Sequence, residues 1–342
     1  MIDILRELEN CETIGISGHE RPDGDAVGAC AAMARFLAKA FPEARVDVFS
    51  ESFADSLMRN IPGAASFIQE KDEDGRYVTP VSRYDAFVIL DCGRGRIGGA
   101  VDFCEAAGKT INIDHHVSQG AGSGDVNYVV PTASSTCELV YEVIRAAEQD
   151  GKQFMDRETA QALYTGIVTD TGVFRYSNVS PRTMEIAGDL IRFGFDFPTI
   201  CREVFFEKTY VQQQIMGRAL LESIRILDGQ CIICVIERKT MAFYGAKSVD
   251  LEGIASQLML TEGVKAAVFL QELEPLRFRV SMRTNGEVNA AEVCSFYGGG
   301  GHDRAAGCTI SATWRDAVNN LAQSIEMQLK KGEASLEENR QI

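Results

Sequence analysis

The run AFVILDCG, residues 86–93, restricts the fold more than any other stretch of this chain. It is apolar without interruption up to its aspartate, which is typical of a strand buried on both faces inside a parallel sheet. Further strand-like runs at Thr13–Ser17, Arg45–Ser50 and Lys109–His116 alternate with helical patterns such as Ala26–Ala40. This alternation predicts an α/β fold whose larger domain has a mostly parallel sheet flanked by helices.

Residues that can bind metals follow these strands at their carboxyl ends. The strand KTINIDHH ends in His115 and His116, two of the four histidines in the chain. Adjacent side chains on a strand point to opposite faces, so we expect the two histidines to have different roles. In α/β sheets this end of the strands faces the crevice where ligands bind. Taken alone, the motif is equally compatible with two surface histidines beside a loop.

The loop after the first strand carries a second group of candidate ligands, because His19, Asp23 and Asp25 form an H-x-x-x-D-x-D pattern. Imidazole with hard carboxylates suits Mn²⁺, Mg²⁺ or a mixed-ligand iron or zinc site. A Pro-Asp-Gly turn followed by a helix cap would explain Asp23 but gives His19 no role. Asp91 and Asp170 also lie at element ends, where a turn or cap aspartate is the alternative. Two metal ions that share one carboxylate need a set of histidine and aspartate ligands of this kind.

A cluster of hydroxyl residues, from Thr132 to Thr136, precedes a helix predicted over residues 137–148. Hydroxyls at the amino end of a helix can bind phosphate. They more often cap the helix, and capping is the interpretation we favour here.

Composition limits the class of protein. A chain of 342 residues that is 45% hydrophobic can form two domains with separate cores. The net charge of −15 argues against a protein that coats nucleic acid, but carboxylates around divalent metals can still bind a small anion. The ten cysteines have no framework spacing, and the CxxC at Cys231 and Cys234 lies in a strand-like run, which argues against zinc or redox chemistry. With no signal-peptide pattern and no apolar run of membrane-spanning length, we expect a cytoplasmic protein.

A smaller α/β domain is predicted after the helical stretch Thr209–Ile226, which we expect to connect the two domains across a cleft. Arg283 lies at the end of one of its strands, directly after Met282, and the sequence GGGGHDRAAG follows at residues 298–307. Consecutive glycines expose backbone N–H groups that can surround an anion. A flexible glycine loop with an incidental His302 is the alternative. The predicted strands are Cys231–Ile236, Ala266–Leu270 and Phe278–Met282.

The order of motifs in the first domain, H-x-x-x-D-x-D, a strand-end Asp, Asp-His-His and Asp-Thr-Gly, resembles that of the DHH phosphoesterase superfamily over residues 12–178. The resemblance implies two metal ions with Asp91 bridging them. It also implies that His116 faces the substrate phosphate and that Asp114 orients the site. The implied ligands are His19, Asp23 and Asp91 for the first ion, and Asp25, Asp91, His115 and Asp170 for the second.

The Gly-Gly-Gly-Gly-His and Ala-Ala-Gly pattern is similar to the DHHA1 domain, which recognises substrate. The domain boundaries we predict are 1–195 for the catalytic DHH domain, 196–228 for a helical linker and 229–335 for the DHHA1 domain. The implied substrate contacts are Arg283, Gly299, Gly300, Gly301 and His302.

Within this superfamily the chain most resembles the bacterial nanoRNase and 3′-phosphoadenosine-5′-phosphate phosphatase group. Pyrophosphatase relatives carry a different second domain, RecJ-like exonucleases are larger, and the membrane-bound phosphodiesterases have transmembrane segments. The resemblance implies a phosphoesterase with two Mn²⁺ ions, or Mg²⁺ or another divalent ion, whose activated hydroxide attacks phosphorus. The expected partners are short RNA oligonucleotides and phosphorylated nucleotides, without a membrane or long nucleic acid; a second copy of the chain, in a homodimer, is a further candidate partner. The alternatives are a soluble phosphodiesterase for cyclic or linear dinucleotides and, less favoured, a RecJ-like exonuclease or a non-catalytic nucleotide sensor.

Overall fold

The predicted alternation of strands and helices is present in the computed structural model, which describes residues 2–116, 122–148 and 151–340, with side chains up to residue 331. The chain forms two units, Met1–Glu207 and Lys208–Ile342. The α/β class and the mostly parallel sheet of the larger domain are confirmed. The boundaries at 195/196 and 228/229 stay predictions.

The sheet of the first unit is parallel throughout its described strands. These strands are β1 (Thr13–Ser17), β2 (Arg45–Phe49), β3 (Ala86–Leu90), β4 (Lys109–Asp114) and β5 (Val126–Val129). Their order is β2-β1-β3-β4-β5. The central strand β3 is buried at every position, as its uninterrupted apolar run predicts. The winding direction changes between β1 and β3, and in open α/β sheets a ligand crevice forms at the carboxyl ends of such a pair.

Helices cover this sheet. They are α1 (Ile4–Glu7), α2 (Gly24–Ala40), α3 (Asp55–Asn60), α4 (Val101–Ala106), α5 (Thr136–Ala147), α6 (Arg157–Asp170), α7 (Pro181–Ile191) and α8 (Phe197–Cys201), followed by a π-helical turn at Arg202–Phe206. A methyl group on Gly28 of α2 would lie 2.6 Å from the carbonyl oxygen of Ala162 in α6. Glycine therefore lets these two helices approach closely behind the loops that carry the candidate ligands.

The second unit contains a mixed six-stranded sheet in its described residues, with only the β7–β8 pair parallel. Its strands are β6 (Ile224–Ile226), β7 (Cys231–Ile236), β8 (Ala266–Glu274), β9 (Arg277–Thr284), β10 (Gly300–His302) and β11 (Ala305–Ser311), in the order β10-β11-β9-β8-β7-β6. Its helices are α9 (Tyr210–Glu222), α10 (Arg238–Tyr244), α11 (Ile254–Met259), α12 (Ala290–Ser295) and α13 (Trp314–Arg340).

The glycine run forms part of a hairpin, and this differs from the open loop that its composition suggests. Gly300–His302 pairs antiparallel with β11. A methyl group on Gly299 would lie 2.2 Å from the carbonyl oxygen of Gly307, and Gly301 has φ 145°. Close backbone approach and a conformation reserved for glycine therefore account for part of the run.

All ten cysteines lie among the described residues, and none of them forms a disulfide. No helix in the described part of the chain combines the length and the apolar character needed to cross a membrane.

Candidate active site

The six predicted metal ligands lie together at the carboxyl end of the first sheet. They come from the loops after β1, β3 and β4, from the first turn of α2 and from the last residue of α6. Among the residues that the structure describes, three groups have donor atoms within 4.8 Å of one another: His19, Asp23 and Asp91; Asp25, His115 and Asp170; and Asp91, His115 and His116.

The first group is built around the loop between β1 and α2. Nε2 of His19 lies 3.7 Å from Oδ1 of Asp23 and 3.4 Å from Oδ2 of Asp91. Asp23 is also the N-cap of α2, because its side chain accepts hydrogen bonds from the backbone N–H groups of Asp25 and Ala26. The cap interpretation and the ligand interpretation of Asp23 are thus both compatible with the structure. Burial lowers the pKa of His19, but its carboxylate neighbours raise it overall to about 9.

The second group is built around His115. Its Nε2 lies 3.5 Å from Oδ1 of Asp91, 3.5 Å from Oδ2 of Asp170 and 3.9 Å from Oδ2 of Asp25. These separations are longer than hydrogen bonds. They suit donors that surround a common cation, since ligands about 2.1 Å from one ion lie about 3 Å or more apart.

Asp91 connects the two groups. It is almost fully buried, and its φ of 64° places it in the left-handed region, which is uncommon for a residue with a side chain and is found at functional sites. Burial and then the nearby Asp25 raise the pKa of Asp91 well above its usual range. Burial, followed by Asp25 and Asp23, raises the pKa of Asp170 to about 8. Crowded buried carboxylates are costly unless cations neutralise them, so this donor set fits divalent metal ions.

His115 and His116 do not point to opposite faces, so the reason given for expecting different roles was wrong; the different roles themselves stay a prediction. Strand β4 ends at Asp114, so the alternation of a strand does not continue to the histidines. Their rings are 4.5 Å apart, and both approach Oδ1 of Asp91. Asp114 is fully buried and its Oδ1 accepts hydrogen bonds from Nδ1 of His116 at 2.8 Å and from the His116 backbone N–H at 3.0 Å. The bond to Asp114 raises the pKa of His116 despite partial burial.

The start of α5 also belongs to the site, which sequence reasoning missed. The capping interpretation is confirmed for Ser135, whose side chain accepts from the backbone N–H of Glu138. Thr136 has a different partner, because its Oγ1 donates to Oδ1 of Asp91 at 3.0 Å. Asp25 accepts from the backbone N–H groups of Thr136 and Cys137 at 2.6 and 2.9 Å. The hydroxyl cluster was the only available signal, and it does not identify a partner 111 residues away.

The predicted substrate contacts lie in the second unit. Arg283 of β9 and His302 of β10 both pair with Ala305 of the intervening strand β11. Directly paired residues on neighbouring strands have side chains on the same face of a sheet. Arg283 and His302 therefore share one face, with a small alanine between them. Nη1 of Arg283 donates to the carbonyl oxygen of Met282 at 2.9 Å.

Comparison with known families gives two matches. The chain matches the DHH family, N-terminal domain, over residues 13–167 and the DHHA1 domain over residues 228–331. Together these ranges include every residue predicted above to hold metal except Asp170, and every residue predicted to contact substrate.

Similar proteins extend over nearly the whole chain. The bifunctional oligoribonuclease and PAP phosphatase NrnA of Bacillus subtilis is 26% identical over 321 residues, covering 94% of this chain and 96% of that protein. The cyclic-di-AMP phosphodiesterase PdeA of Listeria monocytogenes is 26% identical over 334 residues, covering 94% of this chain but 49% of that protein. The crystal structure of an exopolyphosphatase-related protein from Bacteroides fragilis has a TM-score of 0.81 and 24% identity, with 96% of each chain covered. That structure supports the fold.

Proposed function

The chain belongs to the DHH/DHHA1 family of phosphoesterases, and on this premise we propose that it hydrolyses short oligoribonucleotides and 3′-phosphoadenosine-5′-phosphate. The observation that carries the proposal is the convergence of the imidazole and carboxylate groups at Asp91. The NrnA relatives, which match almost end to end, support this choice of substrates.

We propose two Mn²⁺ ions as the cofactor, held by the residues that lie in the two groups. His19, Asp23 and Asp91 would hold one ion, and Asp25, Asp91, His115 and Asp170 would hold the other. Paired divalent cations lower the pKa of water and neutralise charge that develops on phosphoryl oxygens. The mixture of imidazole and carboxylate donors is compatible with Mn²⁺ and leaves Mg²⁺ as an alternative.

His116 is proposed to contact the reacting phosphate. Asp114 engages its Nδ1, so Nε2 is the ring nitrogen that remains to donate to a substrate oxygen. The raised pKa of His116 favours the imidazolium form, which carries positive charge as well as a donor. A donor aligned in advance stabilises negative charge that develops in the transition state.

Recognition of the rest of the substrate is proposed for the face of the second sheet that carries Arg283 and His302, next to Gly299–Gly301. The guanidinium group presents a planar fork of donors that matches phosphate oxygens. The cross-strand register through Ala305 supports a shared role for the arginine and the histidine.

Short substrates are favoured by the charge of the chain. Tight binding of a long polyanion depends on many Lys and Arg contacts with phosphates, and the net charge here is −15. We therefore expect efficiency to fall as RNA length increases from two nucleotides upward.

A panel of substrates tests this function. End-labelled RNAs of two to about twenty-four nucleotides, 3′-phosphoadenosine-5′-phosphate, and linear and cyclic dinucleotides would be assayed with Mn²⁺. Asp91→Asn protein purified in parallel controls for contaminating nucleases. Turnover of dinucleotide RNA and of the bisphosphate nucleotide is expected. Equal degradation of long and short strands would instead favour a RecJ-like exonuclease, and no turnover of any substrate would favour a sensor.

A dinucleotide phosphodiesterase is the second candidate function. It is favoured by relatives called cyclic-di-AMP phosphodiesterases, among them one from Listeria monocytogenes and one from Bacillus subtilis, which align with almost all of this chain. Faster turnover of a cyclic dinucleotide than of dinucleotide RNA in the same panel would select this candidate.

A further inference from the structure

The segment that opens α5, residues 133–137, contacts several of the proposed metal ligands from the side of the protein interior. The carbonyl oxygen of Ala133 lies 3.3 Å from Nδ1 of His115, and this contact orients the ring with Nε2 toward the carboxylates. The backbone N–H groups at the first turn of the helix both donate to the carboxylate of Asp25. The positive end of a helix suits this carboxylate, which is itself buried.

Thr136 contacts two different ligands. Its backbone N–H donates to Oδ2 of Asp25 at 2.6 Å, and its hydroxyl donates to Oδ1 of Asp91 at 3.0 Å. The side chain is completely buried, so water does not compete for the hydroxyl. Thr136 therefore contacts both Asp25, which is proposed to bind the second ion, and Asp91, which is proposed to bind both ions.

The hydroxyl of Thr136 is available for this contact because of its position in the helix. Threonines inside a helix commonly donate to the carbonyl oxygen four residues earlier. Thr165 does so in α6, where its Oγ1 donates to the carbonyl oxygen of Gln161 at 2.8 Å. Thr136 is the first residue of α5, so no helical carbonyl precedes it, and Ser135 already provides the cap.

The segment is held in place by a buried network on its other side. Oε2 of Glu138 accepts from the backbone N–H of Ser134 at 3.2 Å, from its hydroxyl at 2.6 Å and from the hydroxyl of Thr183 at 3.0 Å. Nδ2 of Asn178 donates to the carbonyl oxygens of Ser134 and Asp170 at 2.9 and 3.2 Å. The segment therefore has fixed partners on both sides, as a positioning element requires.

We infer that Thr136 is a positioning residue of the metal centre, whose hydroxyl fixes the oxygen of Asp91 that faces His115. The inference rests on the proposed function, because it takes Asp91 and Asp25 as metal ligands. Groups that orient metal ligands contribute about 10- to 100-fold to metal affinity or activity. Loss of the hydroxyl is expected to weaken metal binding within this range, while the helix and the fold are kept.

The test is a calorimetric titration, in which Mn²⁺ alone is added to metal-free full-length protein and the heat of binding is measured. Thr136→Val removes the hydroxyl at nearly constant volume and keeps the backbone N–H to Asp25. Its Kd for at least one Mn²⁺ ion is expected to rise about 10- to 100-fold. Thr136→Ser restores the donor, and its Kd is expected to stay within about threefold of wild type. Thr165→Val is the matched control, a buried threonine whose hydroxyl serves only its own helix, and wild-type affinity is expected.

Unchanged Mn²⁺ affinity in folded Thr136→Val would overturn the inference, as would equal losses in Thr136→Val and Thr165→Val. Circular dichroism checks folding. If Thr136→Val does not fold, Thr136→Cys takes its place, because a thiol is a weak donor, and the same outcomes apply. The titration needs no substrate, so it separates two failures. A wild-type protein that binds no Mn²⁺ contradicts the proposed metal site, whereas normal binding by both wild type and Thr136→Val contradicts only the role of Thr136.

Discussion

Removal of metal should make the first unit lose stability as pH rises, and Asp170 supplies a measurable part of that loss. Burial and the neighbouring carboxylates raise the pKa of Asp170 from 3.8 to about 8. Between these values the folded metal-free chain keeps a proton that the unfolded chain releases. For an acid whose folded pKa is raised, stability is fully present below the unfolded pKa and is lost as pH rises toward the folded pKa.

The magnitude follows from the width of the pH interval. Each pH unit inside the window changes the free energy of unfolding by about 1.4 kcal/mol for one carboxyl group. From pH 5 to pH 6.5 the loss due to Asp170 is therefore about 2 kcal/mol. In a unit of this size each kcal/mol shifts Tm by about 2–4 °C, which gives about 4–8 °C.

The assay is scanning calorimetry of chelator-treated protein at pH 5 and pH 6.5. Asp170→Asn cannot take up or release the proton, so its Tm relative to wild type should increase by about 4–8 °C between the two pH values. Asp55→Asn, an exposed aspartate of the same unit, is the control. Identical pH dependence in wild type and Asp170→Asn would refute the reasoning. With Mn²⁺ added, wild type should have a higher Tm than Asp170→Asn, because metal binding needs the ionised carboxylate and stabilises only the protein that has it.

Three further predictions concern single residues. Asp91→Asn should abolish turnover and lower bound Mn²⁺ because Asp91 is the residue proposed to bind both ions, whereas His116→Ala should lower turnover with unchanged metal content. Elemental analysis distinguishes the two variants, and full Mn²⁺ occupancy in Asp91→Asn would contradict the proposed bridge. Arg283→Ala should cost about 2–4 kcal/mol in kcat/KM on a 5′-phosphorylated dinucleotide but spare a small activated diester that lacks a distal phosphate; equal losses on both would place the arginine at the reacting phosphate. Gly28→Ala should destabilise the first unit by about 1–3 kcal/mol, because its methyl group would lie 2.6 Å from a carbonyl oxygen of α6. A urea titration measures this loss. Gly188→Ala in α7, where a methyl group would have no atom within 4 Å, is the control in the same titration.

Much of the first unit could be predicted because its information is local. An apolar run that ends in Asp91 indicates a buried strand with a polar end, and parallel strands bring such ends to one edge of the sheet. The helices after β1 and before Asp170 follow from periodicity and caps. The convergence of His19, His115 and the aspartates could therefore be anticipated from the order of motifs. Metal occupancy and the role of each residue stay predictions.

The tertiary structure decided the features that depend on contacts between distant segments. The glycine run before His302 forms a hairpin strand because β11 offers it a partner, which its composition does not reveal. His115 and His116 turn toward the same carboxylate because β4 ends at Asp114, two residues earlier than the pattern suggests. Thr136 meets Asp25 across 111 residues of chain. A sequence pattern specifies the preferences of each segment, but the partner of a buried polar group is chosen by packing, because burial removes the water that would otherwise satisfy it.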